Sequence, residues 1–205
     1  MNQSVPVHPV NPQPRFIQQA VALLEDDGVI AYPTDSCYAL GTRAANRAGL
    51  ERICRIRGLD PDHRFTLLCR NLTEAALYAV FDTPVYRLLR ATTPGPYAFL
   101  LPASREAPKR LMDKRRTIGL RIPDHPIPLA LLEALGGPMM TSSLILPGED
   151  LALTDPQEIL ERLGHHLDLV LDGGFCGAEP TTVVDLTGGT PRVVRVGKGD
   201  PAPFA

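Results

Sequence analysis

Stretches with apolar residues at helical spacing exchange, along most of the chain, with apolar runs too short to be buried helices. That alternation limits the fold to helices packed on a sheet. Pro14 to Asp26 carries Ile17, Ala20, Val21 and Leu24 on one helical face, with Gly28 as a stop. Val29-Ile30-Ala31-Tyr32 follows as a buried strand and ends at Pro33. Ala45 to Arg57 is helical again, with Leu50, Ile53, Cys54 and Arg57 on one face and Gly58 just past the end. Phe65 to Cys69 reads as a strand. Leu72 to Val80 and Pro84 to Ala91 read as helices, with Thr83 as N-cap of the second.

Further strands are predicted at Tyr97 to Leu101, Thr117 to Arg121, Met139 to Ser142, Asp168 to Leu171, Thr181 to Leu186 and Arg192 to Val196. Helices are predicted at Ile127 to Leu135 and Pro156 to Leu163. The last two strands flank Thr187-Gly188-Gly189-Thr190, a hairpin turn by composition. Early alternation that gives way to a hairpin predicts an α/β fold: one twisted mixed sheet with helices packed on it. At 205 residues a single core still grows, and the 21 prolines are spread without marking a linker, so one domain is expected over residues 1–205.

Apolar residues are 44% and charged residues 21%, which excludes a disordered chain. Nowhere do eighteen apolar residues follow one another, and the start has neither a basic region nor an apolar run. No membrane partner and a cytoplasmic location are therefore expected. The 4 cysteines form no C-x-x-C pair, so reduced thiols and no protein-only metal site are expected. The adjacent His165 and His166 are expected to point to different sides of their element.

Charge is unevenly spread. Arg43 to Arg70 holds seven arginines and three acids, net +4; Arg105 to Arg121 holds seven bases and two acids, net +5. Glu149 to the end holds ten acids and four bases, net −6. Such a chain can turn a basic face to phosphate groups, or its bases can pair with the acidic part across the fold.

Four segments could carry chemistry. Tyr32 to Gly41, beyond a buried strand, is rich in hydroxyls; it can wall a pocket for a small polar ligand, act through Ser36 or Cys37, or be a structural turn. Arg55 and Arg57 complement the dipole of their helix end, while Arg57, on the apolar face, can also be directed into a cleft to hold an anion. Thr141-Ser142-Ser143 leaves a strand with hydroxyls that can hold phosphate oxygens. His125, in Arg121-Ile122-Pro123-Asp124-His125-Pro126, is either an acid or base or a turn residue bonded to backbone.

In order along the chain stand Tyr32-Pro33-Thr34-Asp35-x-x-Tyr38-x-Leu40-Gly41, Pro94-Gly95-Pro96-Tyr97 and Gly119 through Pro126. Thr141-Ser142-Ser143, Pro180-Thr181-Thr182-Val183-Val184-Asp185-Leu186 and Val194-Arg195 before Gly197 follow. This order resembles the YrdC/YciO family over roughly residues 14–199. Arg52-Ile53-Cys54-Arg55-Ile56-Arg57 and Leu146-Pro147-Gly148 resemble its YciO branch.

The resemblance implies a YrdC-like fold with a large basic concave pocket. There, active members, which are nucleotidyltransferases, make threonylcarbamoyl-adenylate from threonine, bicarbonate and ATP with Mg²⁺. It also implies possible partnership with tRNA or double-stranded RNA, and an alternative reading as an RNA- or nucleotide-binding protein without catalysis. By position, Thr34, Tyr38, Arg121 and Thr182 would bind substrate. Arg57, Ser142, Ser143 and Arg195 would bind nucleotide, with Arg57 and Ser143 in the catalytic role. Active relatives have a second cation where Leu59 stands and an amide where Ile145 stands. Arg55, Arg64 or Arg116 are the candidates to replace the missing cation.

Overall fold

The helix expected from Pro14 forms as α1 (Pro14–Glu25) in the computed structural model, which describes residues 3–60, 63 and 65–205. Arg64 lies outside the described residues. Proline at the first turn starts α1, where its missing N–H costs nothing, and Ile17, Ala20, Val21 and Leu24 are its buried stripe. The other helices are α2 (Arg47–Arg57), α3 (Leu72–Tyr78), α4 (Thr83–Thr92), α5 (Pro126–Leu135) and α6 (Pro156–Leu163). Asp82, not Thr83, caps α4: its carboxylate accepts from Val85 N, so Thr83 is already helical.

The strands are β1 (Ser4–Pro6), β2 (Ile30–Tyr32), β3 (Ala39–Arg43), β4 (Thr66–Leu68) and β5 (Tyr97–Pro102), then β6 (Thr117–Arg121), β7 (Met139–Ser143), β8 (Leu169–Asp172), β9 (Thr182–Asp185) and β10 (Arg192–Arg195). They join in one mixed sheet of order β1-β8-β2-β3-β7-β4-β6-β5-β9-β10. β9 and β10 form the expected antiparallel hairpin. Two strands were not expected. β1 gains its structure from parallel pairing with β8, and β3 is built from the segment that reads as the end of a loop.

Alternate side chains sort into two cores. Tyr32, Ala39, Leu68 and Met139 lie under α1 and α5, packed with Ile17, Leu24, Ile127 and Leu131. Ala31, Leu40, Leu67 and Met140 face the other side, with Ile53 and Ile56 of α2 and Ile159 and Leu163 of α6. Gly41 keeps the first layer closed, since a Cβ there would stand 2.7 Å from both the Tyr32 ring and the Met139 methyl.

All four cysteines are free thiols. Among the described residues no group of three or more His, Cys, Asp or Glu could hold a metal ion, and no helix is long and apolar enough to cross a membrane. His165 and His166 do not diverge: a 3₁₀ turn (Gly164–His166) brings their exposed rings to 3.9 Å between centroids. Half of the described ion pairs are local; Arg52 to Asp168, at 2.8 Å, is the one that joins the first basic stretch to the acidic C-terminal part.

Candidate functional site

The face that α1 and α5 cover over one half of the sheet is open over the other half, and there it forms a cavity of about 250 Å³. Register sets its floor. Phe99 stands opposite Leu120, so Ala98 falls beside Arg121 one rung on; Val183 stands opposite Ala98, and Arg195 opposite Val183. Two small or medium apolar side chains thus separate two guanidinium-bearing positions in a single cross-strand row. Thr66, Thr141 and Ser143 continue the same face, while Leu100 and Val194 make one part of the lining hydrocarbon.

α2 delivers the third guanidinium. Its N-terminus is anchored by Asn46, whose side chain accepts from Gly49 N at 2.9 Å and donates to Asp27 O and to Thr42 Oγ1. Its C-terminus ends at Gly58, with φ of 61°, in a double clasp: Gly58 N bonds Arg55 O and Leu59 N bonds Cys54 O. Arg57 then reaches the end of β7, where Nε donates to Ile145 O at 3.1 Å and Nη1 donates to Ser142 Oγ. Arg55, in the same last turn, is exposed and stands where a cation complements the helix dipole.

Arg195 enters from a β-bulge, the register of β10 shifting between Val193 and Arg195. It donates through Nε and Nη2 to Thr181 O at 3.1 and 2.8 Å. Neither Arg57 nor Arg195 has a carboxylate partner among the described residues. Burial holds Arg57 below the usual guanidinium range, and Arg195 pushes it further down; burial does the same to Arg195, with Arg121 adding to it. A half-buried Arg57 and a more exposed Arg195, which repels it and like it touches only neutral acceptors among the described residues, form a site in want of an anion.

Arg121 is held differently. Its Nη2 donates to Asp35 Oδ1 at 2.6 Å, Ser36 Oγ at 3.0 Å and Thr34 Oγ1 at 3.1 Å, in a buried pair with 4% and 9% of the two side chains exposed. Asp35 Oδ2 and Arg121 Nε are buried without hydrogen-bond partners among the described residues. Nη1 of Arg121 bonds nothing among the described residues.

The structure therefore brings together Arg57, Arg121, Ser142, Ser143 and Arg195. It does not bring Thr34, Tyr38 or Thr182 to the cavity lining. Thr34 Oγ1 donates to Cys37 O at 2.7 Å and accepts from Arg121 and from the N–H groups of Ser36 and Cys37, so it organises its own loop. Tyr38 is fully buried, its hydroxyl donating to Gly174 O at 2.8 Å; desolvation drives its pKa upward. Thr182 lies on the opposite face of β9 from Thr181 and Val183, as strand alternation requires. Its hydroxyl donates to Gly199 O at 2.6 Å and accepts from Gly197 N at 2.9 Å.

His125 caps α5, its Nδ1 accepting from Ile127 N at 3.2 Å. Neither Ser36 nor Cys37 lies among the lining residues, and both sit in the network that holds Arg121. Leu59 points away from the cavity. As the second residue past the helix it packs back on Leu50 and Cys54, in a separate groove of about 650 Å³ edged by Arg47, Arg55 and Arg110. Arg55 and Arg116, candidates for the missing cation, are exposed and outside the cavity. Among the ionisable lining residues, the one that sequence reasoning missed is His63, on the loop before β4; one histidine among loop residues gives no period to read.

Fold and site together define an α/β protein with a mixed twisted sheet and a cavity lined by three arginines. The sequence model of the Sua5/YciO/YrdC family, described as "Telomere recombination", matches residues 22–197, and the chain belongs to this family. YciO of Escherichia coli K12 is 51% identical over 205 residues and 100% of both chains; its crystal structure agrees with a TM-score of 0.96. A threonylcarbamoyl-AMP synthase of Alkalilimnicola ehrlichii is 31% identical over 186 residues, 88% of this chain and 97% of that protein. P. abyssi Sua5 complexed with L-threonine has the same fold at a TM-score of 0.86 and 24% identity, over 95% of this chain and 57% of that one.

Proposed function

We propose that the cavity binds ATP and threonine and that the protein forms threonylcarbamoyl-adenylate from them with bicarbonate. The observation that carries this reading is the pair Arg57 and Arg195, two guanidiniums that, among the described residues, have no carboxylate partner, beside the Ser143 hydroxyl. The phosphates lie between the two arginines, and the hydrocarbon of Leu100, Val183 and Val194 takes the less polar part of the nucleotide. Mg²⁺ enters with ATP as part of the substrate: among the described residues no carboxylate lines the cavity, and Mg²⁺ commonly binds through phosphates and water.

In this reaction the threonine amine attacks the bicarbonate carbon and water leaves. An oxygen of the resulting carbamate then attacks the α-phosphorus, and the bond to pyrophosphate breaks with its electron pair on the leaving group. Arg121, fixed through Nη2, presents Nη1 to a carboxylate or carbamate, while Arg57 and Arg195 stabilise charge that grows on the phosphates. Thr34 and Tyr38 act on threonine only through the loop they hold, and Thr182 through the segment 197–199.

A second reading, nucleotide or RNA binding without turnover, is favoured by the hydrocarbon of Leu59 and Ile145 where active relatives have a cation and an amide. Calorimetry with Mg·ATP, paired with pyrophosphate release measured across all amino acids in the presence of bicarbonate, separates the two. Threonine-dependent release supports the synthase. ATP binding without release leaves the second reading, and no ATP binding by folded protein at millimolar concentration rejects both small-molecule readings. RNA affinity that falls steeply with salt would mark phosphate-backbone contacts.

Leu59→Arg is expected not to restore a cavity cation. The new side chain enters a groove that already has Arg47, Arg55 and Arg110 on its edge and loses the apolar clasp on Cys54. Mg·ATP affinity is expected to stay within about twofold of the native value, well under one charge-assisted hydrogen bond. A tenfold gain by calorimetry would show that position 59 reaches the phosphates.

A further inference from the structure

The position where active relatives have a second cation is filled here by a side chain that turns outward, yet the cavity has another group that can take up a proton. His63 lines it together with Arg57, Arg195, Thr66 and Ser142. Its backbone N–H donates to Asp60 O at 2.9 Å, and its ring meets the edge of Phe65 with centroids 5.2 Å apart. Neither ring nitrogen makes a hydrogen bond among the described residues. A ring beside an aromatic neighbour, with both nitrogens free and next to two guanidiniums that have no carboxylate partner among the described residues, is placed to donate to an anion that the arginines already attract.

We propose that His63 is a protonatable phosphate ligand of this cavity, completing the Arg57 and Arg195 pair and making its anion affinity depend on pH. This rests on the nucleotide reading for the identity of the anion but not for its charge. Although His63 is exposed overall, without an anion the desolvation of its ring and then the charges of Arg57 and Arg195 hold it below its ordinary range, with Asp60 on its own loop opposing them. A phosphate between the arginines reverses that balance and favours the charged ring. The added affinity is therefore complete below the free-state pKa and is lost as pH rises through the higher, bound-state pKa. Each unit by which the anion raises that pKa is worth about tenfold in affinity between the two limits.

His125 is the other histidine whose surroundings include cavity charge. Its ring is held below the ordinary range by burial, with Asp35 and Asp124 opposing and Arg121 and Lys198 assisting. Since it caps α5, it titrates alike in native protein and in a His63 variant, and the difference between them isolates His63.

The test measures binding of inorganic sulfate, whose charge is constant over the range, and of Mg·ATP, from about pH 5.5 to about pH 8.5 in native protein and His63→Gln. Glutamine keeps a hydrogen-bonding side chain and does not titrate. Native sulfate affinity is expected to fall by about tenfold across the range, with His63→Gln nearly flat at the native high-pH value. The His63 ring resonance is expected to titrate at higher pH once sulfate is added. Identical pH profiles in the two proteins, or a His63 titration that sulfate leaves unmoved, would overturn the proposal even if ATP binds. A profile that depends on His63 for sulfate, with no binding of Mg·ATP, would keep the anion site and reject the nucleotide reading.

Discussion

Asp35→Ala is expected to lower the melting temperature by about 10 °C, the effect of about 3 kcal/mol on a chain of this size. The carboxylate and Arg121 are both nearly excluded from solvent, at 9% and 4% exposure, so removing Asp35 leaves a guanidinium in the interior with only the hydroxyls of Thr34 and Ser36. Breaking a buried pair in this way generally costs about 3 to 5 kcal/mol. The low end applies, because Asp35 Oδ2 and Arg121 Nε are unpartnered and the pair is already imperfect. Asp35→Ala combined with Arg121→Met removes both charges and is expected to regain most of the loss. Thermal unfolding of the two variants decides it: a single variant as stable as the native protein, or a double variant no better than the single, would show that the pair does not hold this loop.

Arg57→Ala and Arg195→Ala are each expected to weaken Mg·ATP binding by about tenfold to a hundredfold, the worth of one charge-assisted hydrogen bond at about 1.5 to 3 kcal/mol. The melting temperature is expected to move by no more than about 4 °C, roughly 1 kcal/mol. Losing Arg57 frees Ile145 O and Ser142 Oγ at the cavity edge, where water reaches them, and it relieves the repulsion with Arg195. Arg57→Lys keeps a cation but not the fork that joins Ile145 to Ser142, and is expected to fall between the native protein and Arg57→Ala. Native affinity in both alanine variants, measured by calorimetry, would place the nucleotide elsewhere.

Much of the site was visible in the motifs, but which residues reach the cavity was not. Thr182 and Thr181 are adjacent and chemically equal in the sequence; only the alternation of β9, fixed by its pairing with β5, turns Thr181 to the cavity and Thr182 behind it. Arg195 reaches it through a bulge, whose extra residue has no signature in composition. By its place in the motif alone, Leu59 marks a lost cation. Its side chain, though, follows the left-handed turn at Gly58 back onto α2.

The sequence by itself determined the local elements and the cationic character of the site. The spacing of Ile17, Ala20, Val21 and Leu24, the prolines that open α1 and α5, and Gly58 past α2 are short-range instructions that act within a few residues of themselves. Tertiary structure alone decided that Ser4–Pro6 is a strand, since three residues have no period and gain hydrogen bonds only from β8, far along the chain. It alone made Ala39–Arg43 a strand between β2 and β7, where burial on both faces removes the alternation that would have revealed it. It alone put His63 beside Arg57 and Arg195, because that meeting depends on how a helix end, a loop and an edge hairpin close on one another across the sheet.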